Sequence, residues 1–60
     1  MMTIQVDLPA DQAWAFAEFL KRARYSDYRQ LAASDQEAYD MQGAAEKVRA
    51  ALAENGCAPR

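Results

Sequence analysis

The chain has 60 residues, with nine acidic and seven basic side chains, a net charge of −2, one cysteine and no histidine. So short a chain makes one domain at most and buries only about 60% of the surface it exposes when unfolded. The lone Cys57 excludes an internal disulfide, and the missing histidine removes the commonest zinc ligand. With disulfide and zinc both excluded, oligomerisation or partner binding is the expected source of added stability, and the acidic balance separately lacks the bulk electrostatic footprint of a nucleic-acid binder.

In chain order, Thr3 to Leu8 alternate polar and apolar residues, the period of a half-buried β-strand. The spacing predicts a strand over 3–8 with Ile4, Val6 and Leu8 toward the core and Thr3, Gln5 and Asp7 facing away. No other segment reads convincingly as its partner, so a second copy of the chain, a short strand near the C-terminus or another protein is expected to complete it. Pro9 ends the strand, because it has no N–H to donate and its fixed φ suits the start of a helix.

A first helix is expected over 10–24, with Asp11 near its positive end and an apolar stripe of Ala13, Phe16, Ala17, Leu20 and Ala23. Glu18 and Arg22 stand four apart in the order that favours an ion pair. Trp14 and Phe19 flank the stripe and widen its apolar arc. A short helical turn is expected over 27–32, capped by Ser26 or Asp27. Ser34-Asp35-Gln36-Glu37 reads as a capping box, opening a helix over 35–54 with a buried stripe of Ala38, Met41, Ala45, Val48 and Leu52. Gly43 inside that helix suggests the close approach of another backbone. Asn55-Gly56 supplies a left-handed stop, and Pro59 prevents the helix from resuming in the 55–60 tail.

These elements describe an α+β miniature: one short N-terminal β-strand, then two main α-helices packed antiparallel with a short helical turn between them. Phe16, Leu20, Leu31, Met41, Val48 and Leu52 are its expected core. With no signal-peptide opening and no apolar run near the ~20 residues of a membrane span, a soluble cytoplasmic protein with no membrane partner is expected.

Three constellations bear on function. Thr3 and Gln5, with Ile4, Val6, Leu8 and Pro9 at a strand-to-helix junction, resemble the ribbon-helix-helix family of small repressors and antitoxins. That resemblance implies a homodimer paired through the N-terminal strand, with Thr3 and Gln5 reading DNA bases; Asp7 and the long stretch from Tyr25 to Ser34 depart from the family's pattern. The basic residues Lys21, Arg22 and Arg24, with Arg29, are suited to a phosphate backbone, although they also complement a helix C-terminus.

The third constellation is acidic and aromatic: Asp35, Glu37, Tyr39, Asp40 and Glu46, joined by Trp14 as an aromatic anchor. Such a surface suits a protein partner with a basic site. In size, charge and style the chain is similar to small phage and mobile-element inhibitors of the anti-CRISPR kind, which implies occupation of a nucleic-acid-binding surface in a host complex. That protein-interaction role is the leading expectation, and the dimeric DNA-binding regulator is the alternative. Cys57 has no histidine to activate it, and no phosphate-binding loop or nucleophile–base pair occurs. No catalytic residue, metal site or cofactor is therefore expected.

Overall fold

The computed structural model describes residues 1–60 as three helices: α1, Ala10–Arg22; α2, Tyr25–Leu31; and α3, Asp35–Glu54. Helix accounts for 67% of the residues and there is no strand or sheet, so the α+β expectation is corrected to an all-helical fold. The alternation in Thr3 to Leu8 is present, but the ladder that makes a strand is not. No backbone or side-chain hydrogen bond reaches any of residues 1–8. Those residues form an exposed N-terminal arm in which Ile4 and Val6 are 69% and 64% exposed, where a core-facing strand would have buried them.

Helix α1 starts where Pro9 accepts from the Ala13 N–H at 3.0 Å, and its last turn is closed by the Ala23 N–H bonding Phe19. Ala23 and Arg24 are extended, with ψ of 136° and 170°, so the helix ends before the expected Arg24. The chain turns helical again at Tyr25 because the Asp27 carboxylate accepts the Arg24 N–H at 2.8 Å, tying down a donor at the helix start. Asp27 thus acts from inside the first turn of α2, one turn later than an N-cap would sit.

Helix α3 opens as the sequence motif demands. The Ser34 hydroxyl accepts the Glu37 N–H at 3.1 Å, while the Glu37 carboxylate reaches back to the Ala33 N–H at 3.0 Å. It closes with a pair of reverse bonds, Cys57 N–H to Leu52 carbonyl at 2.8 Å and Gly56 N–H to Ala53 carbonyl at 3.0 Å. Gly56 sits at φ 93°, the left-handed region such a stop requires and an L side chain resists.

α3 is the spine on which both α1 and α2 pack. Ala13 near the start of α1 and Ala17 one turn later join Cys57 and Leu52 at the far end of α3, whereas Leu20 stands with Ala45 and Arg49 nearer its middle, so the two helices run in opposed directions. The core is thin: Ala13, Ala17, Leu20, Ala38 and Cys57 are the only buried residues.

The expected core needs correction at two positions. Phe16 is 43% exposed and Leu31 is 85% exposed, while Leu20 is buried and Met41, Val48 and Leu52 are partly buried. α2 turns Tyr25 and Tyr28 inward, which at ~100° per residue carries Leu31 about 60–120° away from those side chains. The expected close approach at Gly43 is also absent, because a methyl group placed there would meet nothing within 4 Å.

Candidate functional site

The acidic and aromatic residues of the second half do not form one open surface. Asp35 Oδ1 accepts from Arg29 Nε at 2.6 Å and from Tyr25 Oη at 3.0 Å, and the Tyr25 and Tyr39 rings lie 4.8 Å apart at 33°. Together they staple α2 onto the first turns of α3. The Arg29 guanidinium, then the Tyr25 hydroxyl, hold the Asp35 carboxyl below its usual range. Desolvation, then the bond to the Asp35 carboxylate, push the Tyr25 phenol up.

The other acids have separate tasks. Glu37 caps its own helix, and Asp40 accepts from Gln36 Nε2 at 3.1 Å. Helical spacing puts Asp35, Tyr39 and Glu46 on one flank of α3 and Glu37 and Asp40 on the opposite one.

The basic residues are likewise dispersed. Arg22 pairs with Glu18 at 3.0 Å and Arg29 with Asp35, leaving Lys21 and Arg24 without a salt bridge. Thr3 and Gln5 lie on the exposed arm. The structure therefore gathers neither the acidic set nor the proposed DNA-reading set into one charged patch.

It assembles an apolar cleft instead. Ile4, Val6 and Leu8 of the arm, Trp14 of α1, Val48 and Leu52 of α3, and Cys57 line it together. Its volume is about 690 Å³. The only charged residue lining it is Asp7. Of the partner-binding residues read from the sequence, Trp14 alone belongs to this cleft, where it remains 44% exposed.

A second apolar feature lies on the opposite flank of α1, where the Phe16 and Phe19 rings stack at 5.6 Å and 16°. Both are close to half exposed. The cleft was missed in the sequence because the alternation in the arm implied inward-facing side chains. The signal that marks it is the same set of residues, Ile4, Val6 and Leu8, in a chain that offers them no second strand.

No group of three or more Cys, Asp or Glu side chains stands close enough to hold a metal ion, and no helix is long and apolar enough to cross a membrane. The fold is a three-helix miniature with an exposed apolar cleft between its N-terminal arm and the α1–α3 pair. The chain belongs to DUF7706, a family of unknown function whose model matches residues 1–60. No curated protein and no solved structure gives a significant match.

Proposed function

We propose that this chain is a protein-interaction module that docks a polypeptide through the apolar cleft between its N-terminal arm and the α1–α3 pair. One observation carries the reading: Ile4, Val6, Leu8 and Trp14 surround a single cleft while each remains at least 44% exposed. Contiguous apolar surface of this kind is costly to leave in water and marks interaction sites, and tryptophan is prominent among interface anchors.

The carboxylates argue against the alternative of a free acidic face. Asp35 is engaged by Arg29 and Tyr25, Glu37 by the Ala33 N–H, and Asp40 by Gln36. Each keeps a second oxygen unpaired, so the bonds orient these carboxylates without removing their charge; what divides the acidic set is placement, with Asp35 and Glu46 on one flank of α3 and Glu37 and Asp40 on the other. The inhibitor role expected from the sequence accordingly shifts from an acidic surface to an apolar one, and the DNA-binding alternative gains no support, because two of the central arginines already hold carboxylates.

Site-specific photo-crosslinking tests this. A photoreactive side chain at Val6, in the cleft lining, should give a defined polypeptide adduct that is lost on Trp14→Ala. The same group at exposed Ala50, about 160° around α3 from Val48 and Leu52, should give none. Equal and diffuse labelling from both positions would refute the reading.

A further inference from the structure

The exposed area of the single chain is too large for its mass. Folded monomers of 6.7 kDa expose about 3,900 Å², whereas this chain exposes 5061 Å². The excess is ~1,100 Å². A standard protein interface takes about 800 Å² from each partner, and obligate homodimers take about 1,000 Å² or more. The surplus therefore matches what one side of a small homodimer removes from water.

The shape of the surface points to the same partner. A two-fold dimer uses one patch on both chains, so that patch must complement itself. This chain carries an exposed apolar arm, Ile4, Val6 and Leu8, that lines one cleft with the apolar helix residues Trp14, Val48 and Leu52. Two copies facing each other about a two-fold axis would lay each arm over the other's helix residues. Charge raises little barrier to this, since Asp7 is the only charged residue lining the cleft and each chain carries a net −2. A basic foreign protein would find only that one carboxylate there.

We infer that the cleft is the face through which two copies of this chain associate, each contributing its N-terminal arm to the other. The inference rests on the reading of the cleft as a docking face and names its occupant. Burying the Ile4 and Val6 side chains against Trp14 of the second copy removes from water apolar surface that the single chain leaves 69% and 64% exposed.

Sedimentation equilibrium from about 1 to about 100 µM, the range in which micromolar dimers assemble, tests it directly. The expected result is a twofold rise in mass over that range, with acrylamide quenching of Trp14 falling in parallel. Trp14 is the sole tryptophan and so reports only on the cleft. The double variant Ile4→Asp/Val6→Asp should remain monomeric with unchanged helical circular dichroism, because both side chains are mostly exposed in the single chain. A monomer across the whole range, or a dimer that survives the double variant, would overturn the inference.

Should the variant lose its helices, wild-type chains mixed as isotope-labelled and unlabelled copies give a second readout. Interchain contacts between Val6 methyls and the Trp14 ring are expected, and their absence refutes the pairing. A monomeric chain that still forms a Trp14-dependent adduct with a foreign protein from Val6 removes the second copy while leaving the docking face intact. A monomer without such an adduct removes both.

Discussion

Gly43 lies near the middle of α3, where a glycine costs about 1 kcal/mol relative to alanine because the unfolded backbone has more freedom to lose. Whether Gly43→Ala recovers that amount depends on what the added methyl meets. Its ideal position has no heavy atom within 4 Å, so no steric penalty offsets the gain. The expected change is a stabilisation of roughly 0.8–1 kcal/mol. At an unfolding entropy of ~2.1 cal/mol/K per residue, a chain of this length should melt about 6–8 °C higher. Thermal unfolding followed at 222 nm measures it, with wild type and variant at one fixed concentration, since self-association makes the midpoint concentration-dependent. An unchanged or lowered midpoint would show that something packs against Gly43 in solution, and would refute the assignment of that face as open.

The other expectations address the caps, the staple and the thiol. Gly56→Ala forces an L side chain to φ 93° and should cost about 1–2 kcal/mol, read as a lower chemical-denaturation midpoint; a neutral result would mean that the C-terminal stop is not held as described. The Arg29–Asp35–Tyr25 staple sets two pH limits. Asp35 is lowered in the folded chain, so its contribution is present above about pH 4 and lost as pH falls through the depressed value. Tyr25 is raised, so its contribution is present below about pH 10 and lost as pH climbs through the elevated value. Melting temperature against pH should therefore fall at both ends, and Asp35→Asn should flatten the acid end; an identical acid limb in the variant would refute the staple. Cys57 is buried against Ala13, Ala17 and Leu52, so a bulky disulfide reagent should react slowly until denaturant is added; immediate stoichiometric reaction would show that the tail does not pack on α1.

Local rules were legible in the sequence where a short motif decides the outcome. Ser34 and Glu37 stand three apart before an apolar run, and their two bonds to backbone N–H groups close the start of α3. Asn55-Gly56 marked its end, and Glu18 with Arg22 stood at ion-pair spacing. What escaped needed tertiary information. Arg29 and Asp35 are six residues apart across a helix break, and no helical periodicity relates them. Nor does periodicity reveal that α2, only 7 residues long, points Tyr25 and Tyr28 inward and leaves Leu31 outside.

The N-terminal arm is the more instructive failure. Alternation in Thr3 to Leu8 specifies that every second side chain is apolar, and that condition is met by a strand in a sheet or by an extended segment lying along an apolar surface. A strand further requires neighbouring backbone to take its N–H and C=O groups, which no part of this chain supplies to residues 1–8. The same alternation still presents Ile4, Val6 and Leu8 as a row of apolar side chains, and a chain that buries only five residues leaves them uncovered. Apolar patterning records that a surface is meant to be buried, and the identity of what buries it enters only through shape and area. Here the shape is an arm beside a cleft and the surplus area is close to that of half a dimer interface, so the pattern that misled the assignment of secondary structure is the one on which the proposed docking face rests.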